Sequence, residues 1–323
     1  MNSQLPSLDQ IENAAALIYR GMAPTPQYRW PLLDAALGAQ VWIKHENHTP
    51  IGAFKLRGGL VYFDELAHGG KRPAGVISAT RGNHGQSVAL AARSHGIPVT
   101  IVVPHGNSHE KNAAIKALGA ELVEHGDDFQ AARLHAQMLA DHRRLLMVPS
   151  FAPALVRGVA TYALELMRAV PDLDTIYVPI GLGSGICGTI AARQALGRHC
   201  EIVGVVSAAA PAYARSFAAR AVVEAPVAPG LADGLACRVP EPGALDLILE
   251  HVSRVVEVHE DEIADAMRLV FSATHNVAEG AGAAGVAAML HDRGRMVGRR
   301  VATVLCGGNV DRAVFARVLA GHD

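Results

Sequence analysis

Short apolar runs rich in β-branched residues alternate with longer amphipathic stretches along nearly the whole chain. An alternation of strand, helix and strand is typical of parallel sheets that are built from right-handed crossover connections. The runs that predict strands are 41–44, 75–78, 99–103, 121–123, 175–178, 202–206, 252–258 and 301–305. The stretches with helical spacing include 86–93, 131–140, 161–168 and 261–270. Because strands such as 99–103 are apolar without interruption, we expect helices on both faces of the sheets.

The longest stretch outside this pattern is 222–243, which is rich in proline. The prolines in it are Pro226, Pro229, Pro240 and Pro242. A segment of this length and composition is expected to be a loop that crosses the surface or covers a site.

Composition narrows the class of protein. Of the 323 residues 50% are hydrophobic, 5% are aromatic and 32 are glycine, which suits helices packed on a sheet better than an all-β sandwich. The formal net charge is −1, whereas nucleic-acid-binding proteins normally carry a basic surplus. The first residues lack the features of a signal peptide, and no apolar run is long enough to span a membrane. Four cysteines without a CxxC spacing are consistent with reduced thiols, so we expect a cytoplasmic α/β protein without nucleic-acid or membrane partners.

A glycine-rich turn follows the predicted strand 175–178 and precedes a helical run. The turn consists of Gly181, Leu182, Gly183, Ser184 and Gly185. Backbone N–H groups at a helix N terminus favour a phosphate, although the glycines could also serve a tight turn alone. With Gly188 the turn satisfies the dinucleotide pattern GxGxxG, but the next predicted strand ends in Ser207 and two alanines instead of the acidic residue that a ribose requires. A dinucleotide site is therefore disfavoured.

Lys55 stands after a turn that contains Pro50 and Gly52, with Phe54 and other apolar residues around it. A single lysine is usually solvated at the surface. A desolvated amine, in contrast, loses its proton readily and forms Schiff bases with carbonyl compounds. A neighbouring aromatic ring such as Phe54 could pack on a flat cofactor.

A polar loop lies between the predicted strand 75–78 and the helical stretch that follows it. Its residues are Thr80, Arg81, Gly82, Asn83 and His84. The side chains of Thr80 and Asn83, together with backbone N–H groups, could bind a carboxylate or a phenolic oxygen. The alternative is an ordinary polar loop that caps the helix.

These three segments and the C-terminal Cys306-Gly307-Gly308-Asn309, taken in this order, resemble the fold-type II pyridoxal-phosphate enzymes, specifically the serine/threonine dehydratase and serine racemase group. The resemblance implies an α/β fold like that of the tryptophan synthase β subunit, with two open, twisted, mostly parallel sheets and helices on both faces. It implies a large domain of residues 1–74 plus 153–323, a small domain of residues 75–152 and an active site in the cleft between them. A cytoplasmic homodimer is also expected.

The resemblance implies a role for each motif residue. Lys55 would hold pyridoxal 5′-phosphate as a Schiff base and act as the catalytic base at the substrate Cα, with Phe54 beside it. Asn83 would bind the cofactor's phenolic oxygen. The glycine-rich turn would bind the phosphate, Glu279 would lie near the pyridine ring, and Cys306 would face the pyridine nitrogen. The substrate α-carboxylate would be bound by the loop of Thr80, Arg81, Gly82, Asn83 and His84.

The implied reaction is the elimination of water from a small-molecule β-hydroxy amino acid, which yields a 2-oxo acid and ammonia. Threonine, serine, 3-hydroxyaspartate and phenylserine are candidate substrates. A neutral thiol at Cys306 is a weak partner for the ring nitrogen, so rapid loss of a β-substituent is favoured over transamination. The alternatives are a β-replacement enzyme similar to cysteine synthase and a non-enzymatic small-molecule sensor on the same scaffold.

The sequence departs from the family at three places. Leu182 interrupts the run of glycines, so it would serve through its backbone alone. Arg81 replaces the serine of the racemases, and because arginine is a poor proton donor, racemase activity is not expected. Arg81 could bind an extra substrate carboxylate, or it could turn outward or pair with an acidic neighbour. Ser207 and Tyr213 stand where the carboxylate ligands of the family's divalent metal would be, so we predict that this metal site is absent.

Overall fold

A computed structural model of the chain describes residues 5–70, 72–228 and 230–321. Its strands are β1 Gln27–Arg29, β2 Gln40–His45, β3 Val76–Ala79, β4 Val99–Val103, β5 Glu121–Glu124, β6 Leu146–Met147, β7 Thr175–Pro179, β8 Glu201–Ser207, β9 Arg254–Val258 and β10 Arg300–Leu305. Its helices are α1 Leu8–Ile18, α2 Pro31–Leu37, α3 Lys55–His68, α4 Asn83–Ser94, α5 His109–Ala117, α6 Phe129–Arg143, α7 Pro153–Ala169, α8 Ser184–Ala195, α9 Ala212–Ala219, α10 Pro242–His251, α11 Glu260–Thr274, α12 Gly280–His291, α13 Arg293–Met296 and α14 Arg312–Ala320.

The larger sheet has six strands in the order β1-β2-β10-β7-β8-β9. β1 runs antiparallel to β2, and the other neighbours are parallel. Every residue of β7 is buried, as expected for a strand that is covered by helices on both faces. The helices α7, α8, α11 and α12 supply much of the core around this sheet. Its parallel strands place their carboxyl ends, and the loops that follow them, on one edge.

The smaller sheet has four parallel strands in the order β5-β4-β3-β6. Successive side chains of β3 point to opposite faces: Val76 lies in the cluster with Val88 of α4, and Ile77 lies in the cluster with Ala132 of α6. Buried alanines recur along α6 at helical spacing, which lets this helix pack closely on the sheet. The small sheet therefore has its own core on both faces.

The predicted fold class is confirmed, and the predicted strands correspond to β2–β5 and β7–β10 with ends that differ by two residues or less. The start of the strand predicted at 252 is wrong, because the N–H of Val252 donates to the carbonyl of Ile248 and ends α10. β1 and β6 were not expected. β1 is largely exposed, and β6 has only two residues, so neither shows a hydrophobic pattern.

The proline-rich stretch 222–243 is irregular except for a 3₁₀ turn at Asp233–Leu235 and the start of α10 at Pro242. Pro229 lies outside the described residues. Much of this stretch lines the cleft described below, so it covers a site. Within the described ranges no helix is both long and apolar enough to cross a lipid bilayer.

Candidate active site

A cleft of about 1180 Å³ lies between the two sheets. The loops that follow β3, β7 and β10 end in it, because the carboxyl ends of parallel strands share one edge of each sheet. All residues that the sequence singled out for a site line this cleft: Phe54, Lys55, Thr80, Arg81, Gly82, Asn83, His84, Gly181, Leu182, Gly183, Ser184, Gly185, Glu279 and Cys306. The fold thus gathers five segments that are distant in sequence.

Lys55 is the first residue of α3 and follows Phe54 directly. Its Nζ donates a hydrogen bond to Oγ of Ser184 at 3.2 Å and lies 4.9 Å from the centre of the Phe54 ring. Burial lowers the pKa of Lys55 to about 8, an effect that Cys306 partly opposes. Near neutral pH this amine is therefore unprotonated far more often than an exposed lysine, which makes it a nucleophile for a carbonyl group.

The turn between β7 and α8 forms an anion cradle, which we define as residues 181–185. Gly183 has a φ of +101°, a conformation that favours glycine. A Cβ on Gly181 would lie 2.4 Å from the carbonyl oxygen of Gly234, so only glycine fits there. The first N–H groups of α8 have no acceptor within the helix and point into the cradle with the positive end of its dipole. The cradle is therefore suited to a phosphate.

Tyr213 holds the cradle from behind. Its buried hydroxyl donates to the carbonyl oxygen of Leu182 at 3.0 Å and accepts from the N–H of Glu241 at 3.1 Å. The hydroxyl thus connects the cradle to the residue that precedes α10. Leu182 contributes to the cradle through its backbone, as the sequence suggested, while its side chain packs on the main core.

Cys306 follows β10 and lies beside the segment that carries Lys55. Its carbonyl accepts from the N–H of Phe54 at 3.0 Å, and Gly307 pairs with Ala53 in an isolated antiparallel bridge. Burial raises the pKa of the Cys306 thiol above its ordinary value, and Glu279 raises it further. The thiol is consequently neutral at physiological pH.

Asn83 is fixed by both ends of its amide. Its Nδ2 donates to Oε1 of Glu279 at 2.5 Å, and its Oδ1 accepts from Nδ2 of Asn309 at 2.8 Å. The other Glu279 oxygen binds Nζ of Lys111 at 3.0 Å. One hydrogen of the Asn83 amide stays available for an acceptor in the cleft.

Further polar contacts join α5 to the segment before α14. Ser108 donates to Asp311, and the N–H of Arg312 donates to Glu110 at 2.9 Å. We refer to these contacts and those of Asn83 and Lys111 with Glu279 and Asn309 as the polar seam. The seam connects the small-sheet side to the C-terminal segment along one side of the cleft.

The loop between β3 and α4 is organised by Thr80. Its Oγ1 accepts from the N–H groups of Gly82 and Gly85 at 2.9 and 3.3 Å, so the hydroxyl oxygen is used within the loop. The buried Nε2 of His84 has no hydrogen-bond partner among the residues that the structure describes. Burial lowers the pKa of His84 to about 3, and the charge of Lys55 lowers it further. The imidazole is therefore neutral.

Arg81 extends from this loop towards the 3₁₀ turn at Asp233–Leu235. Its Nη1 lies 3.6 Å from Oδ1 of Asp233, and the two side chains are 35% and 38% exposed. The sequence left open whether Arg81 binds a substrate carboxylate, turns outward or pairs with an acidic neighbour. In the structure its neighbour is the acidic residue Asp233.

Ser207 and Tyr213, which stand where the family has metal ligands, each have another hydrogen-bond partner. Oγ of Ser207 donates to Oε1 of Glu260 at 2.9 Å, and Tyr213 binds Leu182 as described. In the part of the chain that the structure describes, no group of three or more His, Cys, Asp or Glu side chains has the arrangement of a metal site.

Sequence reasoning missed a buried ionic cluster beneath Lys55. The Arg57 guanidinium donates to both oxygens of Glu46 at 2.7 and 2.9 Å and to both oxygens of Glu165 at 2.6 and 2.9 Å. Lys44 also binds Glu165, at 2.5 Å. Arg57 lies in the first turn of α3, so the cluster fixes the helix that presents Lys55. The sequence signal that could have indicated this cluster is the presence of charged residues within otherwise apolar segments.

Comparisons with known proteins show which family and which relatives the chain is similar to. The family model "Pyridoxal-phosphate dependent enzyme" matches residues 18–307. The L-threonine ammonia-lyase of Thermotoga maritima is 33% identical over 97% of this chain and 78% of its own length. The L-threo-3-hydroxyaspartate ammonia-lyase of Pseudomonas sp. is 33% identical over 98% of this chain and 100% of its own. The solved structure of maize serine racemase has a TM-score of 0.89 at 27% identity, with coverages of 99% and 98%.

Proposed function

The chain belongs to the family of pyridoxal-phosphate dependent enzymes, and from this premise we propose that it is an ammonia-lyase that removes water from a β-hydroxy amino acid. The products are a 2-oxo acid and ammonia. Two relatives that carry the names of ammonia-lyases for L-threonine and L-threo-3-hydroxyaspartate support this class of substrate. The observation that carries the proposal is the Lys55 amine, which lies in the cleft next to the anion cradle with its pKa lowered to about 8.

The residues of the cleft fit pyridoxal phosphate. The anion cradle has room for a phosphate because side chains are absent at Gly181 and Gly183, and Ser184 places the Lys55 amine at its edge. Asn83 retains a donor for a phenolic oxygen, and the neutral Cys306 thiol is available to a ring nitrogen. When bound, pyridoxal phosphate supplies an aldehyde for the Lys55 amine and a ring that accepts electrons from the substrate Cα.

Lys55 is proposed as the base that removes the Cα proton. Its Nζ can accept that proton because burial favours the neutral amine, and α3 holds it in place through Arg57. The N–H groups at the start of α4, with Asn83, are proposed to orient the α-carboxylate so that the Cα–H bond faces Nζ. His84 is neutral and adds no charge to this position.

Cys306 and Glu279 are proposed to set the electronic environment. A neutral thiol is a weak partner for the ring nitrogen, so the ring is a weak acceptor of electrons. A long-lived negative charge on the substrate is then disfavoured, and departure of the β-hydroxyl is favoured. Glu279 is engaged by Asn83 and Lys111, so its charge is balanced within the polar seam. This environment favours elimination over transamination.

The test is 2-oxo acid formation by the holoenzyme from L-threonine, L-serine and L-threo-3-hydroxyaspartate. Lys55→Ala is expected to abolish both turnover and the adduct that borohydride fixes on the peptide containing residue 55. Lys116→Ala, which removes an exposed lysine of α5, is the matched control and should retain both. Turnover and a fixed adduct in Lys55→Ala would contradict the proposal.

The same assay separates the alternatives. A β-replacement enzyme would form a sulfur-containing amino acid when sulfide is added and little 2-oxo acid without it. A sensor would bind its ligand without turnover. Release of a 2-oxo acid and ammonia in equal amounts, independent of sulfide, is the result expected from the proposed lyase.

The proposal includes the organisation of the chain into a large domain of residues 1–74 plus 153–323 and a small domain of residues 75–152. The separate core of the four-stranded sheet supports this division. Limited proteolysis of the full chain should then cut first near 71–75 and 148–153.

The proposal also includes a cytoplasmic homodimer, supported by the family resemblance and four free, buried cysteines. Sedimentation analysis should give the mass of two chains, and cell fractionation should recover the protein with cytoplasmic enzymes.

A further inference from the structure

In the part of the chain that the structure describes, no residue accepts a hydrogen bond from the guanidinium of Arg81. Its distance of 3.6 Å to Asp233 is that of an ion pair but is too long for a hydrogen bond. Among the described residues, none accepts a hydrogen bond from it, and its Nε is closed off from solvent. A buried donor on a charged group is costly when it has no acceptor. The remaining donors of the Arg81 guanidinium, whose side chain is 35% exposed, are therefore open to an acceptor that the described residues do not provide.

The free part of the guanidinium is the part that recognises carboxylates. Asp233 approaches Nη1 without a hydrogen bond, and no described residue accepts one from Nη2, so the Nη1–Nη2 edge, which unlike Nε is not closed off from solvent, has no hydrogen-bond partner. Arginine binds a carboxylate through two parallel N–H donors along such an edge. Two other cations that line the cleft have carboxylate partners, since Lys111 binds Glu279 and Arg238 binds Glu224.

Arg81 lies at the cradle end of the cleft. Asp233 precedes Gly234, whose carbonyl oxygen contacts the position above Gly181. A substrate whose α-carboxylate lay at the start of α4, as proposed above, would have this end of the cleft open to its β-substituent. The guanidinium is then placed beside the β-substituent of the substrate.

From this geometry we infer that Arg81 forms a subsite for a second carboxylate, so that the preferred substrate is a β-hydroxy amino acid with an anionic β-substituent, as in 3-hydroxyaspartate. This inference rests on the proposed function and assigns its specificity. Asp233 holds the guanidinium across the cleft without occupying its free edge. A methyl group, as in threonine, would leave the same donors unpaired.

The kinetic test compares kcat/KM of the holoenzyme for L-threo-3-hydroxyaspartate and L-threonine, measured as 2-oxo acid formation. Loss of the hydrogen bonds between a charged group and the second carboxylate is expected to change the ratio of these two values about 10- to 100-fold. Arg81→Gln should lower the ratio by that factor, mainly through KM for the dicarboxylic substrate. Arg81→Lys should keep part of the preference, because it retains the charge but not the two parallel donors. Arg238→Gln, in which the lost arginine already had a carboxylate partner, should leave the ratio unchanged.

A binding test avoids turnover. Succinate and butyrate are unreactive four-carbon acids that differ by one carboxylate, and their dissociation constants for the holoenzyme are measured by calorimetry. The wild type and Arg238→Gln should bind succinate more tightly than butyrate, and Arg81→Gln should bind both equally.

An unchanged ratio in Arg81→Gln would overturn the inference. An equal loss for both substrates would also overturn it, because Arg81 would then bind the α-carboxylate. Failure of the wild type to form a 2-oxo acid from any β-hydroxy amino acid would overturn the proposed function instead, while the succinate measurement would still report on Arg81.

Discussion

Replacement of Tyr213 by phenylalanine tests how the anion cradle is held. The hydroxyl is the only atom removed, and its loss leaves the Leu182 carbonyl and the Glu241 N–H without their partner. A buried polar group that loses its partner costs about 1–3 kcal/mol. We expect the free energy of unfolding to fall by about 2 kcal/mol. Because Leu182 belongs to the cradle, we also expect the Kd for pyridoxal phosphate to rise about tenfold, which corresponds to about 1.4 kcal/mol.

The assay is titration of the apoenzyme with pyridoxal phosphate and, separately, with pyridoxal, which lacks the phosphate. Pyridoxal affinity should change little in Tyr213→Phe. Tyr177→Phe is the matched control, because the buried Tyr177 hydroxyl binds Asp292 at 3.1 Å away from the cleft. It should lose stability and keep its affinity for pyridoxal phosphate. An unchanged Kd in Tyr213→Phe, or an equal rise in Tyr177→Phe, would refute the reasoning.

Three more outcomes are expected. Because burial lowers the pKa of Lys55 to about 8, capture of pyridoxal phosphate by the apoenzyme should speed up as the pH rises through about 8 and then level off; a stopped-flow rate that does not change with pH would contradict this. Glu46→Gln leaves the buried Arg57 charge partly unpaired, so the free energy of unfolding in urea denaturation should fall by about 3–5 kcal/mol. Glu224→Gln removes a carboxylate from an exposed ion pair and should lower the free energy of unfolding by less than about 1 kcal/mol. Treatment of the holoenzyme with EDTA should change neither activity nor melting temperature, because Ser207 binds Glu260 where the family has metal ligands; a loss restored by Mg²⁺ would count against this.

Much of the fold was accessible from sequence because its central strands are apolar on both faces. Strands such as β4 and β7 are buried throughout, so they show as continuous apolar runs. β1 and β6 lie at the edges of their sheets, where few side chains are buried and the pattern fades. Val252 has the same β-branched side chain as the residues of the strand that follows. Its backbone N–H, however, donates to the carbonyl of Ile248, which makes Val252 the end of α10.

The residues of the cleft were predicted from motifs, whereas their mutual contacts were not. The bonds of Glu279 to Asn83 and Lys111 connect residues more than 160 positions apart, and no local spacing encodes them. Tyr213 was considered only as a residue that replaces a metal ligand. Its contact with Leu182 depends on how α9 packs behind the cradle, which is a tertiary feature.

The two sides of the cleft differ in how far water reaches them. In the polar seam the side chains of Lys111 and Glu279 are 10% and 5% exposed, whereas those of Arg81 and Asp233 are 35% and 38% exposed. We therefore expect a substrate molecule to enter past Arg81 and not through the polar seam. Coupling the enzyme to a solid support through α14, which follows the seam along the chain, would then leave that entrance open to the surrounding solution.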